Sequence, residues 1–188
     1  MRYTGYELLW LFFLYSFGGW VLETIFATIR QKNFATRGLI NGPGCIMYGF
    51  SAVFIEMILH DLTGIWLYLF ATVNITVIEW IAGHLVEIFY HERWWDYSGH
   101  KFNLDGYISL SSSLTWGALG YLTVRWGNSI FVGLFNLIPG LIGTVLIWSM
   151  VGILLLDNLA SLMLLAGRSG RLDRWEAVNS QIANVTAR

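Results

Sequence analysis

The stretch "VIEWIAGHLVEIFYHERWWDYS", residues 77–98, begins as the second half of a membrane span yet carries Glu79, His84 and Glu87. A lone ionisable group at bilayer depth costs a few kcal/mol or more. Apolar residues run back from it to Ile65, which gives the roughly 20 residues a spanning helix needs. Acids inside such a helix mark positions that face a protein interior, not lipid. The rest of the chain agrees with this class: its 188 residues are 56% hydrophobic and only 12% charged, with a mean hydropathy of +0.58. A soluble domain of this length needs more charge to cover its surface. The expected fold is an all-α, polytopic membrane protein, with one transmembrane domain over 1–166 and a cytoplasmic tail over 167–188.

Composition excludes several classes. A net charge of −1 with no basic run gives no reason to expect a nucleic-acid partner. Cys45 is the single cysteine, so neither an intrachain disulfide nor a cysteine metal cluster can form. There is no P-loop, and no motif calls for a cofactor. The first apolar stretch, Tyr6 to Ala27, is too long for a signal sequence and is read as a span.

Hydropathy predicts five spans, at about 6–29, 45–60, 65–90, 107–124 and 139–165. The second is short enough to be tilted or partly re-entrant. "SIFVGLFNLIPG", residues 129–140, could lie in the interface before Pro139 opens the last helix. Nine basic residues fall on one side of this layout and two, Arg2 and Arg125, on the other. That bias predicts a multi-pass cell-membrane protein with its N-terminus outside and its C-terminus in the cytoplasm. In the tail, Leu172, Trp175, Val178, Ile182 and Val185 recur at helical spacing, which predicts an amphipathic helix on the lipid surface or on a partner.

Glu23, Glu56, Glu79, Glu87 and Asp157 fall inside the proposed spans, and no lysine or arginine joins them. Such acids are protonated by burial, reached by a loop base, or hold a cation or an amine. Glu79, Gly83 and Glu87 share one helical stripe, as do Tyr15, Gly19 and Glu23. A glycine between acids lets a neighbouring helix come close. Spans 1, 3 and 4 are therefore expected to pack together, with Glu23, Glu79 and Glu87 in their shared space. The roles of Glu56 and Asp157 are left open. His84 lies three residues before Glu87, so the two could ligate one metal ion, although the zinc-protease spacing is absent.

Two loops carry the remaining polar candidates. "RGLINGPGCIMYG", residues 37–49, offers Arg37 and Asn41 beside a turn-forming Asn-Gly-Pro-Gly run. "RWWDYSGHKFNLDG", residues 93–106, mixes interface aromatics with Asp96, Tyr97, Ser98, Asn103 and Asp105, as a cap over a cavity would.

"FFLYSFGGWVLETI", "RGLINGPGCIMYGF", "RWWDYSGHKFNLDGYISL" and "SLTWGALG" together resemble the bacterial CmpB-like family of ABC-transporter type IV permeases. The similarity runs from Phe12 to about Gly120. It implies an integral membrane protein engaged in transport. Onto its pattern fall Trp20, Glu23, Arg37, Asn41, Gly42, Pro43, Tyr48, Gly49, Glu79, Glu87, Trp95, Asp96, Tyr97, Asn103, Gly106 and Trp116. The chain departs from it at "GPGCIMYG", where a second proline is expected after the cysteine.

The candidate ligand set is thus Glu23, Arg37, Asn41, Glu79, Glu87, Asp96, Tyr97, Asn103 and Trp116, with His84 and Glu87 as the metal candidates. The leading expectation is a transport protein, or a transporter subunit working as a homodimer or with an ATPase, whose acidic pocket takes a proton, cation or cationic solute. One alternative is an intramembrane enzyme acting on a lipid or isoprenoid phosphate, with the glutamates as acid and base and Arg37 on the phosphate. The other is a non-catalytic scaffold or assembly protein.

Overall fold

Apolar length sets the helices, and glycines and polar side chains set how they meet. The computed structural model describes residues 2–31, 44–91, 93–157, 159 and 163. The predicted tail helix, Arg37 and Asn41 lie outside the described residues. Helix α1 spans Gly5–Gln31, α2 Ile46–Leu59 and α3 Gly64–Tyr90. A small hairpin pairs β1 (Asn103–Leu104) antiparallel with β2 (Ile108–Ser109). Helix α4 (Leu110–Leu122), a π-helical turn (Thr123–Gly127) and α5 (Asn128–Phe135) follow, and then α6 (Gly140–Asp157). Among the described residues, three helical stretches are long and apolar enough to cross a membrane: Gly5–Phe26, Gly64–Phe89 and Gly140–Asp157; α2 is a shorter apolar helix.

Two sequence expectations change. The run from Leu110 to Phe135 is helical without a break, about 39 Å at 1.5 Å per residue. Ser129–Phe135 therefore continues the fourth helix, where the sequence reads as a separate segment. The π turn at Thr123–Gly127 absorbs the glycine and polar residues that read as a helix end. The second change is in packing. Helix α1 packs on α2 and α5, and α3 packs on α4 and α2, so α2 stands between the first and third helices.

Local signals explain the ends. Thr4 and Glu7 form a capping box at the start of α1: the Thr4 N–H donates to Glu7 at 2.7 Å and the Glu7 N–H to the Thr4 hydroxyl at 3.3 Å. Ser109 and Ser112 do the same for α4. Helix α3 ends at His91, which takes a left-handed conformation (φ 55°) and returns its N–H to the Glu87 carbonyl. Asp105 and Gly106 both have positive φ, as the hairpin turn closed by Tyr107 N–H to Leu104 C=O requires. The core gathers Ile55, Leu59, Leu67, Ala71 and Val124. Much of the remaining apolar surface is exposed, including Phe26, Ile29, Trp66, Val73, Ile130 and Leu141, as expected of helices that face lipid. Helix α2 starts beside the middle of α1, where the Cys45 N–H donates to the Ser16 carbonyl at 2.8 Å.

Candidate functional site

Each of the three predicted glutamates meets aromatic donors from another element. The Tyr48 hydroxyl of α2 donates to Glu23 Oε1 of α1 at 2.7 Å. Room for the Tyr48 ring comes from Gly19, one turn before Glu23, because a Cβ there would overlap that ring. On α3, Gly83 makes the same room for Tyr107: a Cβ would lie 2.6 Å from its Cδ1. The Tyr107 hydroxyl donates to Glu87, one turn further on. The glycines of both acidic stripes thus admit tyrosine rings, where a neighbouring helix backbone was expected.

Glu79 is the most enclosed of these acids, at 4% exposure. Its Oε1 accepts from the Trp116 indole N–H of α4 at 3.0 Å and from the Tyr97 hydroxyl at 3.4 Å. Its Oε2 is buried without a hydrogen-bond partner. Tyr48 and Trp116 touch edge to face, 5.4 Å between centroids. Glu23, Tyr48, Trp116, Glu79 and Tyr97 therefore form one connected group drawn from α1, α2, α3, α4 and the loop after α3.

Glu87 stands apart from that group. Its carboxylate accepts from Arg93 Nε at 2.9 Å, and both side chains are about two-fifths exposed. A loop base therefore neutralises it, and that base is Arg93. The guanidinium also donates to the Asp105 carbonyl at 3.0 Å and lies 4.7 Å from the Tyr107 ring centroid. The Glu87 carboxylate in turn holds Arg93 above its ordinary pKa. His84 is engaged elsewhere as well: Nδ1 lies 2.9 Å from the Trp80 carbonyl, and its ring sits between Trp80 and Tyr107 at 4.2 and 4.0 Å. Among the described residues no three His, Cys, Asp or Glu side chains come together to hold a metal ion. The His84–Glu87 metal pair thus has no third ligand there, and its carboxylate is occupied by Arg93 and Tyr107.

The loop over this end of the helices is tied internally. Asp96 accepts from the Ser98 N–H at 2.8 Å and the Ser98 hydroxyl at 3.0 Å, which hold its carboxyl below the usual aspartate range. Asn103 donates to the Ser98 and His100 carbonyls and accepts from the Gly106 N–H. Those two predicted ligands fasten the loop. Tyr97 alone among the loop candidates reaches Glu79, and burial followed by the nearby Glu79 pushes its hydroxyl up to about 12. It is a neutral donor at physiological pH.

A cavity of about 540 Å³ lies among α1, α2, α3, α4, the π turn and α5. Glu79, Trp116 and Tyr48 stand in its wall, and Tyr15, Thr123 and Phe131 also line it. Most of its lining is apolar. Sequence reasoning misses a second buried polar pair: Asn128 Nδ2 donates to Glu56 Oε2 at 2.6 Å, with the residues 0% and 2% exposed. The available signal is Asn128 itself, but between Gly127 and Ser129 it reads as a helix break.

The family model described as "Putative ABC-transporter type IV" matches residues 10–162. The chain belongs to that family. The match reaches every helix described above and places the Glu23–Glu79 group and the cavity inside an ABC-transporter type IV chain. No curated protein and no solved structure matches the chain.

Proposed function

We propose that this member of the ABC-transporter type IV family moves a proton, a cation or a cationic solute through the cavity beside Glu79, with Glu23 reinforcing the negative potential there. The reading takes five spans: α1, α2, α3, the unbroken α4–α5 run, and α6. It places the N-terminus outside, following the asymmetry of basic residues. Five spans are few for a complete carrier, so a second copy or an ATPase-bearing partner completes the transporter. The observation that carries the reading is Glu79: almost fully buried, in a cavity wall, with one carboxylate oxygen held by neutral donors and the other buried without a hydrogen-bond partner. Neutral donors orient the acid without cancelling its charge, which leaves attraction for an incoming positive group. The enzyme alternative needs Glu87 as a third acid at the same place, and Glu87 is instead paired with Arg93 outside the cavity.

The test is charge displacement in proteoliposomes after jumps in pH, sodium or alkylammonium concentration. The wild-type chain displaces charge with at least one of these, Glu79→Gln abolishes the signal and Glu87→Gln retains it. A Glu79→Gln protein that inserts normally and displaces as much charge as wild type refutes the proposal.

A further inference from the structure

Glu56 of α2 and Asn128 of α5 are almost wholly enclosed, at 2% and 0% exposure. The Asn128 Nδ2 amide donates to Glu56 Oε2 at 2.6 Å, and that bond leaves Glu56 Oε1 and Asn128 Oδ1 buried without a donor. Both leftover atoms are acceptors, and they belong to the same two planar groups. A carboxylic acid and a carboxamide can close a ring of two hydrogen bonds, N–H to one carboxyl oxygen and O–H to the amide oxygen. The first of these is the bond observed. The second would join the two orphaned atoms, which need only one proton between them, and the terminal torsions of both side chains are soft. We infer that Glu56 is a proton-binding site, the proton riding on Oε1 and bonding Asn128 Oδ1 so that a two-point latch joins α2 to α5. Neither residue lines the cavity beside Glu79, and the latch does not rest on the transport reading.

The surroundings select a proton over other partners. Water does not reach either orphaned atom. A metal ion requires several oxygen ligands beyond these two, and among the described residues no three His, Cys, Asp or Glu side chains gather to hold one. The bases nearby are engaged elsewhere. The charged and titratable groups around Glu56 among the described residues are Arg2, Tyr3, Tyr15 and His60. Arg2 donates to the Ser129 hydroxyl at 3.2 Å, and the Tyr3 hydroxyl meets the same oxygen at 3.1 Å. His60 turns Nδ1 toward the Glu56 backbone carbonyl at 3.2 Å and Nε2 toward Asp61 at 3.3 Å. The Tyr15 hydroxyl makes no bond to Glu56. An ionised carboxylate enclosed with one neutral donor carries a heavy desolvation cost; a proton removes that cost and pairs both orphans. Glu56 also borders a void of about 10 Å³, close to the room one water needs, beside Arg2, Tyr3 and His60 near the exposed Asp61. That void gives the proton its way in.

The experiment is infrared spectroscopy of the full chain in lipid nanodiscs at neutral pH, reading the C=O stretch of protonated carboxyls. Glu56→Gln should remove one carboxyl's share of that band and leave the carboxylate bands unchanged. Glutamine offers the same ring an N–H in place of the O–H, so this variant should insert and melt like wild type. Asn128→Leu should keep the band but move it to higher frequency, because the carboxyl loses its hydrogen bonds; circular dichroism checks the fold. Asn128→Ala is read the same way where Asn128→Leu does not fold. Adding sodium at constant pH should leave the band in place. A Glu56→Gln spectrum that loses carboxylate absorption instead overturns the proposal. So does a Glu56→Gln chain that fails to fold, since the charge would then supply something the neutral isostere lacks. A band unmoved by both Asn128 variants overturns the latch, and a band that sodium abolishes makes this a cation site and overturns the proton.

Discussion

Asn128→Ala is the most demanding test of the packing, because it strands a buried carboxyl on another helix. Asn128 is fully enclosed, and its amide donates to Glu56 at 2.6 Å across 72 residues of sequence. Glu56 Oε1 and Asn128 Oδ1 are already buried without partners. Removing the amide leaves both Glu56 oxygens unsatisfied and opens a small void. A hydrogen bond to a charged or strongly polar acceptor contributes about 1.5–3 kcal/mol. Interhelical bonds in membranes reach at most about 1.7 kcal/mol in double-mutant cycles, because the separated helices find other partners. With the void added, Asn128→Ala should cost roughly 2–3 kcal/mol. Glu56→Gln should behave oppositely: the introduced amide keeps an acceptor for Asn128 Nδ2 and offers its own N–H₂ to the orphaned Oδ1, so stability should hold or rise. A cycle of Glu56→Leu and Asn128→Leu should show coupling of about 1–2 kcal/mol, with the double variant close to wild type. The assay is reversible unfolding in mixed micelles followed by circular dichroism. An Asn128→Ala protein within about 0.5 kcal/mol of wild type, or a cycle with no coupling, refutes the reasoning.

Other outcomes follow from the same geometry. Gly117→Ala should destabilise by about 1–3 kcal/mol in that unfolding assay, since its Cβ would overlap the Thr72 hydroxyl and lie 3.0 Å from Thr72 Cα, forcing α3 and α4 apart. Gly133→Ala, with nothing within 4 Å of the new Cβ, should be neutral or gain up to about 1 kcal/mol from helix propensity. Gly83→Ala should push Tyr107 off Glu87, seen as faster hydrogen exchange across residues 93–109 at unchanged helix content. Tyr97 gives a pH prediction. An unfolded tyrosine ionises near pH 10, whereas the folded one stays neutral to about 12. Ionising the unfolded state first draws the equilibrium away from the fold, so stability should fall as pH rises from about 10 to 12. Tyr97→Phe should flatten that part of the profile.

Apolar length makes three helices legible almost to the residue: α1, α2 and α3 lie within about two residues of the spans read from hydropathy. The fourth reads as broken at Gly127, Asn128 and Ser129, whose composition is that of a loop. A π turn takes one extra residue and so turns Asn128 inward, where its partner Glu56 lies in a different helix. No local pattern carries that information. Glu87 looks uncompensated in the sequence for a related reason. Arg93 lies beyond the helix, but the left-handed His91 turns the chain back so that the guanidinium reaches the carboxylate. In the acidic stripes the glycines are visible as gaps, and what fills a gap is a property of another element.

The compensation of the acids follows a physical order along α3. Glu87, near the C-terminal end of α3 and about two-fifths exposed, takes a full counter-charge from Arg93. Two turns deeper, Glu79 receives an indole N–H and a phenol O–H, and Glu23 beside it a second phenol. An arginine carried to that depth would bring its own desolvation cost, which neutral donors avoid. Neutral donors also do less: they orient and partly stabilise a carboxylate while its net charge persists. Trp116 and Tyr97 both bond the same oxygen of Glu79, and the other is buried without a partner. Glu56 shows the same pattern, one oxygen bonded by the neutral Asn128 amide and the other unpartnered, so neutral donors compensate both of the most buried acids.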